Sequence, residues 1–369
     1  MKKINVMIVE DSRTVSEFLQ HIINRDPRLR VVANVRSGEE ALESLRIVSP
    51  DIISLDIRLP GMNGLEATQR IMNERPTPIV VVSSDVQDDE LNISMNALRA
   101  GALAVVQKPV GLKHADYESL ASELCTKLAI MSEVRVIRQR YRTFAPKIEP
   151  RPVPAAASSS SGAQPSAARL EGRGGAPRVV GLVASTGGPN AIVQVLNSLT
   201  PNVTAPILLV QHITPGFVRG FVGWLDDVVP GLKVVEAVQG MALEPRTVYV
   251  APAAKHLTLG APFHVNLTDA PAVNAQKPSG TVLFRSLAGQ GGAAAAVLLT
   301  GMGEDGALGM RDMHDAGAYT IVEDESTAIV YGMPAAAVRL GAASAALPLG
   351  EIGPRLNVLF TPRPASASS

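Results

Sequence analysis

Two α/β domains in tandem are what this sequence predicts, and three observations carry the prediction. Short apolar runs alternate with amphipathic stretches over roughly the first 125 residues, and the same alternation resumes near Arg178. Between them lies a segment too poor in large apolar side chains to form a core. At 369 residues the chain also exceeds the size at which one core normally suffices.

The first half supplies the strand candidates INVMIV, LRVVANV, DIISLDI, PIVVVSS and ALAVVQK. These are separated by the helical patterns SEFLQHII, GEEALESLRI, GLEATQRIM and ELNISMNALRA. Five β/α units of this kind predict a doubly wound, five-stranded parallel sheet. A last helix is expected to begin beyond Asp116 and run through YESLASELCTKLAIMSEVRVIRQRYR to the first prolines. The stretch from Ala145 to Pro177, dense in Pro, Ala, Ser and Gly, reads as a flexible tether. A coil of about 33 residues reaches roughly 30 Å, enough for two domains to touch or part. Beyond it RVVGLVA, PILLVQH, LKVVEAV, RTVYVAP, AAAAVLLTG and AYTIVED predict a second, mostly parallel, Rossmann-like sheet of hydrolase type. HLTLGAPFHVNLTD breaks the rhythm as a β-hairpin.

Composition narrows the function. The 34 basic and 34 acidic residues balance, which argues against a nucleic-acid partner. The start MKKINVMIVED is too short in its apolar run, and too soon acidic, for a secretory leader. No apolar stretch reaches membrane-spanning length. Cys125 is the sole cysteine and sits in a helical, core-like pattern, so no intrachain disulfide forms. Together these features predict a cytoplasmic protein that is not membrane-integral.

At the strand ends of the first half stand Glu10 and Asp11, then Asp56, Ser83 and Lys108. In a parallel sheet all these ends face one edge. Three carboxylates gathered there repel one another, a conflict that a divalent oxygen-seeking cation such as Mg²⁺ relieves. Lys108 and the Ser83 hydroxyl are then placed to contact phosphoryl oxygens. The motifs VEDS, SLDIRLPGMNG, VSSD and QKP resemble the receiver domains of two-component response regulators. That resemblance implies that Asp56 accepts a phosphoryl group from a histidine kinase, that Glu10, Asp11 and Asp56 hold Mg²⁺, and that Ser83 and Lys108 read the phosphorylated state. Glu10 departs from the more usual aspartate, and Val105 stands where many receivers carry an aromatic residue.

In the second half Ser185 follows an apolar strand and opens the turn TGGPN. Such a turn can present a nucleophile, or it can cradle a phosphate on its N–H groups. A serine nucleophile needs a general base, itself held by a carboxylate. Of four histidines beyond the tether, His212 ends the strand PILLVQH and is the candidate base. His256 is the runner-up, as a substrate-binding or structural residue. His264, in the hairpin, and His314, on a helix, read as packing or surface residues. Asp305, in the glycine-rich loop after AAAAVLLTG, is the candidate carboxylate, with Glu304 beside it pointing elsewhere. The rival reading is a nucleotide-binding module in which Ser185 does no chemistry, although ASTGG lacks the full G-x-G-x-x-G spacing. A catalytically silent scaffold is a third reading.

Taken in order, GLVASTGGPN, LLVQH, YVAPAAKHL, LFRSLA, LLTGMGEDGALGM and VEDESTAIVYGMP resemble the catalytic domain of bacterial chemotaxis protein-glutamate methylesterases, the CheB family. The resemblance implies a receiver over residues 1–125, an extended helix and linker over 126–177 and a catalytic domain over 178–369. It implies Ser185 as nucleophile, His212 as base and acid, Asp305 as orienting residue and the Met302 N–H as oxyanion donor, with Thr186 supporting the pocket and no metal in the catalytic domain. It also implies methyl-accepting chemotaxis receptors as substrates and a chemotaxis histidine kinase as phosphodonor; the same acyl chemistry predicts glutamine deamidation as a second activity, and a monomer is the default expectation. HITPG and AQKPS depart from the family's usual His-Met-Pro and His-Arg-Pro-Ser, one beside the base and one where substrate docks.

Overall fold

The computed structural model describes residues 3–83, 95–109, 117–134, 136 and 176–361. Five strands, β1 (Ile4–Val9), β2 (Leu29–Val35), β3 (Ile52–Asp56), β4 (Ile79–Ser83) and β5 (Ala104–Gln107), form a parallel sheet in the order β2-β1-β3-β4-β5. Every residue of β3 and β4 is buried, which is why these strands read as continuous apolar runs rather than alternating ones. Helices α1 (Arg13–Arg25), α2 (Gly38–Ser44), α3 (Gly64–Glu74) and α4 (Tyr117–Met131) cover both faces. Leu19, Ile22, Leu124 and Leu128 of α1 and α4 pack on Val6, Ile8, Val80 and Val82. Ala41, Ala67 and Ile71 of α2 and α3 pack with Met7, Ile53 and Val81 on the other face. The Ser37 and Asn63 side chains accept from Glu40 and Glu66 N–H groups, capping α2 and α3 where the sequence placed their starts.

The predicted last helix of this half is shorter than expected. α4 ends at Met131, where the Ser132 hydroxyl donates back to the Ala129 carbonyl and Val134 N–H turns to the Met131 carbonyl. A side chain that competes for backbone groups in this way favours termination over continuation. Residues 137–142, the rest of that predicted helix, lie outside the described residues, as do most of the predicted tether and the start of ELNISMNALRA.

The second sheet is wholly parallel. Its strands are β6 (Val179–Ala184), β7 (Ile207–Gln211), β8 (Lys233–Glu236) and β9 (Thr247–Val250), followed after a hairpin of β10 (His256–Gly260) and β11 (His264–Thr268) by β12 (Ala294–Leu298), β13 (Tyr319–Glu323) and β14 (Ala345–Leu347). The order is β14-β13-β12-β6-β7-β9-β8, with the hairpin as a separate antiparallel pair. Strand β14, three residues long, was not foreseen. Helices α5 (Gly188–Asn197), α6 (Val218–Val228) and α10 (Leu349–Phe360) cover one face, and α7 (Gly280–Ala288), α8 (Ala307–Asp315) and α9 (Met333–Arg339) cover the other. The chain leaves β6 toward β7 on one side and returns to β12 on the other. β6 therefore lies at the switch point, where open α/β sheets place their ligands.

Candidate active site

Ser185, His212 and the loop carrying Asp305 follow the three adjacent strands β6, β7 and β12 at their carboxyl ends. The sheet aligns them through the backbone. Ser185 N–H donates to the Thr300 carbonyl at 3.0 Å, and His212 N–H donates to the Ala184 carbonyl at 3.0 Å. The turn after Ser185 bends through Gly187, whose φ of +82° suits glycine, and leads directly into α5. Gly301 must also lack a side chain, because a Cβ there would stand 2.7 Å from the Ser185 Cβ and would strike the Met333 sulfur.

The three predicted residues are brought together, with one link open. His212 Nε2 lies 2.9 Å from Asp305 Oδ2. The other ring nitrogen, Nδ1, is buried with no partner, so the Ser185 hydroxyl is not yet hydrogen-bonded to it. Catalytic hydrogen bonds commonly close only when substrate arrives. Asp305, 3% exposed, is held at the N-terminus of α7: Ser279 Oγ donates to Oδ1 at 2.6 Å, Gly280 N–H to Oδ2 at 2.6 Å and Thr281 N–H to Oδ1 at 3.1 Å. Burial alone would raise its pKa. The His212 contact, the Ser279 hydroxyl and the Gly280 N–H outweigh burial and bring it down to about 2. Glu304 points away to Arg339 at 3.1 Å.

Several contributing residues escaped the sequence reading. Gln211 Nε2 donates to the Ser185 carbonyl at 2.8 Å and the His212 carbonyl at 2.9 Å, tying the two strand ends together. Thr300 Oγ1 donates to the Thr186 carbonyl at 2.8 Å, while its N–H reaches the buried Glu323 at 2.9 Å. Burial raises the Glu323 pKa. The Thr186 and Met302 N–H groups make no hydrogen bond among the described residues, which leaves both as free donors beside Ser185. His256, the runner-up base, is fully buried, with Ser279 N–H and the Pro271 carbonyl as its partners. His264 lies in β11 and His314 on α8 beside Asp315, as expected of packing and surface residues.

The site is not fully open to solvent. A cleft of about 440 Å³ is lined on one side by Ser185, His212 and Met302 and on the other by Ser119, Glu123 and Lys127 of α4. Lys127 Nζ donates to Thr186 Oγ1 at 2.7 Å, one residue from Ser185. Burial pulls the Lys127 pKa below the ordinary lysine range, with Glu123 opposing. Beside this contact Asn190 Nδ2 donates to the Leu98 carbonyl at 3.0 Å, joining α5 to the first unit.

At the edge of the first sheet, Glu10, Asp11 and Asp56 place carboxylate oxygens within 4.8 Å of one another. Lys108 Nζ lies 2.7 Å from both Asp56 Oδ2 and Glu10 Oε2. Burial, reinforced by the neighbouring carboxylates, raises the Asp56 and Glu10 pKa values despite Lys108. Burial would lower the Lys108 pKa, but Asp56 and Glu10 reverse that and raise it. The Ser83 hydroxyl is buried and unpartnered. Crowded carboxylates with an orphaned hydroxyl nearby fit a hard divalent cation together with a phosphoryl group.

A receiver-type sheet with an acidic edge, joined to an α/β unit that gathers a Ser, a His and an Asp, has the layout of a regulated hydrolase. Residues 180–356 match the CheB methylesterase family and residues 6–115 the response regulator receiver domain family. A protein-glutamate methylesterase/protein-glutamine glutaminase of Paramagnetospirillum magneticum is 52% identical over 97% of this chain and 98% of its own. One of Syntrophus aciditrophicus is 44% identical over 95% and 96%. The crystal structure of the Thermotoga maritima CheB methylesterase catalytic domain, 34% identical, covers 50% of this chain and 98% of its own with a TM-score of 0.48. The chain belongs to the CheB methylesterase family and carries an N-terminal response regulator receiver domain. Among the described residues, no helix is long and apolar enough to cross a membrane.

Proposed function

We propose that this protein hydrolyses glutamate γ-methyl esters on methyl-accepting chemotaxis receptors, releasing methanol, and deamidates receptor glutamines, releasing ammonia. The observation that carries the reading is the Asp305–His212 pair at 2.9 Å, beside Ser185 at the sheet's switch point. A phosphate cradle has no use for such a pair.

Ser185 attacks the ester carbonyl as its hydroxyl proton passes to His212 Nδ1, the nitrogen that Asp305 leaves free. The Met302 N–H, with Thr186 beside it, stabilises the oxyanion. Asp305 stays ionised and keeps the imidazole in the tautomer that can accept the proton. The tetrahedral adduct collapses as His212 gives that proton to the departing methoxide. Water then attacks the acyl-serine, with its proton taken by His212. Collapse of the second adduct returns that proton to Ser185 and leaves glutamic acid, whose remaining carboxyl proton passes to water to give the carboxylate. Every step is carried by protein groups.

In the receiver, Asp56 is the phosphoryl acceptor from a chemotaxis histidine kinase, and Glu10, Asp11 and Asp56 are the residues that hold Mg²⁺. The bound ion supplies charge neutralisation at the phosphoryl oxygens. Lys108 and Ser83 contact the product phosphoryl group. The receiver restrains the hydrolase through α4, whose Lys127 occupies the Ser185 cleft, and phosphorylation loosens that contact. A differential stability of about 1.4 kcal/mol gives tenfold activation. The enzyme acts as a cytoplasmic monomer with a receiver over residues 1–125, an extended helix and flexible linker over 126–177 and a catalytic domain over 178–369. Methanol release from methylated receptor membranes, measured with and without a small phosphodonor, tests this function. A preparation inactive in both conditions, with no fluorophosphonate label on Ser185, refutes it.

A further inference from the structure

We infer that His256 is a positioning residue for the hydrolase, acting through Ser279 on Asp305. The inference rests on the function proposed above and assigns His256 no contact with substrate.

The ring's partners fix its chemical form. The Pro271 carbonyl, 3.1 Å from Nε2, can only accept, so Nε2 carries the hydrogen. Ser279 N–H, 3.1 Å from Nδ1, can only donate, so Nδ1 presents its lone pair. His256 is thereby held neutral in one tautomer, fully buried, with both nitrogens committed. It cannot serve as a second base.

What it holds is the residue on which Asp305 rests. Ser279 is the N-cap of α7: its Oγ accepts from Val282 N–H at 3.3 Å while donating to Asp305 Oδ1 at 2.6 Å. The next two backbone N–H groups, of Gly280 and Thr281, complete the carboxylate's cradle. Moving Ser279 therefore shifts three of the four groups that orient Asp305, the fourth being His212 itself. Thr281 Oγ1 also accepts Gly306 N–H at 2.8 Å, so the loop bearing Asp305 and the start of α7 move as one piece. A lone pair at the Nδ1 position sets the register of that piece. Misplacement of such a constellation by about 1 Å costs on the order of 100-fold in rate.

Two isosteric replacements separate this role from plain packing. His256→Asn can place an amide oxygen where Nδ1 was, preserving acceptance from Ser279. His256→Gln reaches the Nε2 position and preserves donation to Pro271, but leaves Ser279 N–H without its acceptor. In full-length enzyme, with receptor demethylation and fluorophosphonate labelling of Ser185 as readouts, H256N should keep kcat within about 3-fold. H256Q should lose about 10- to 100-fold in kcat and labelling rate, with KM changed less than about 2-fold. Ser279→Ala should lose a similar factor. Equal impairment of H256N and H256Q at matched thermal stability, or a loss in KM instead of kcat, overturns the positioning role. If either His256 variant fails to fold, the kcat of Ser279→Ala decides: an unchanged value overturns the role. A wild-type enzyme that neither labels nor hydrolyses overturns the function and the positioning role together.

Discussion

Asp56 and Asp305 both sit buried at the carboxyl ends of parallel strands, yet their surroundings drive them in opposite directions. Asp305 receives two backbone N–H groups, a hydroxyl and an imidazole, and its pKa falls to about 2 despite burial. Asp56 receives one backbone N–H, from Arg58, and one ammonium, from Lys108. Burial and the Asp11 charge prevail, and its pKa rises. The first site is complete without further charge. The second is short of positive charge, a condition that a bound cation would relieve. Two acids of the same type, one ending a strand and the other in a loop beyond one, are thus driven apart by what donates to them.

The comparison is broken most severely at the complete site. Ser185→Ala should lower demethylation by about 10⁴- to 10⁶-fold, and Asp305→Asn by about 10⁴-fold, measured as methanol release at saturating receptor. At the charge-deficient site, Asp56→Ala should remove the whole increment produced by a phosphodonor, tenfold or more, as read from the ratio of stimulated to basal rate. Between the two sites lies α4. Lys127→Glu places a carboxylate in the cleft beside Glu123 and should raise unstimulated activity about tenfold. An unchanged basal rate would show that this contact does not restrain the enzyme.

The smallest effects sharpen the contrast through pH. Asp305 has a folded pKa below its unfolded value of 3.8, so its stabilisation is fully present above pH 3.8 and is lost as pH falls toward about 2. That contribution is about 2 kcal/mol at neutral pH. Asp56 and Glu10 have raised folded values, so their effect has the opposite sign. Acidification from pH 7 toward their unfolded values of 3.8 and 4.5 should strengthen the receiver locally. Hydrogen exchange followed from pH 7 to 4.5 should show better protection at the β1 and β3 strand ends, and Mg²⁺ at pH 7 should reproduce it. Loss of protection there on acidification would contradict the charge-deficient description.

Much of this was legible in the sequence because it lies at strand ends. Ser185, His212 and Asp305 each follow an apolar run that had to be a buried strand, and parallel strands deliver such residues to one edge. Glu10, Asp56, Ser83 and Lys108 were placed by the same reasoning. The supports were not legible, because they act across the chain. Ser279 meets Asp305 from 26 residues away, and Lys127 meets Thr186 from 59. Pro278 followed by Ser279 is an N-cap signal that could have marked the start of α7, though not what that end would hold. Strand β14, Ala345–Leu347, is too short to show a period, and the end of α4 depends on one serine turning back on its own helix.

The seating of α4 over the cleft has a thermodynamic corollary. The cleft lined by Ser185, His212 and Met302 is also lined by Glu123 and Lys127, so under the proposed function substrate and helix compete for one volume. Linkage is reciprocal at equilibrium: if the phosphorylated form binds substrate more tightly, bound substrate must stabilise the phosphorylated form over the unphosphorylated one by the same factor. A ligand confined to the cleft would then report on the state of a carboxylate at the far edge of the other sheet.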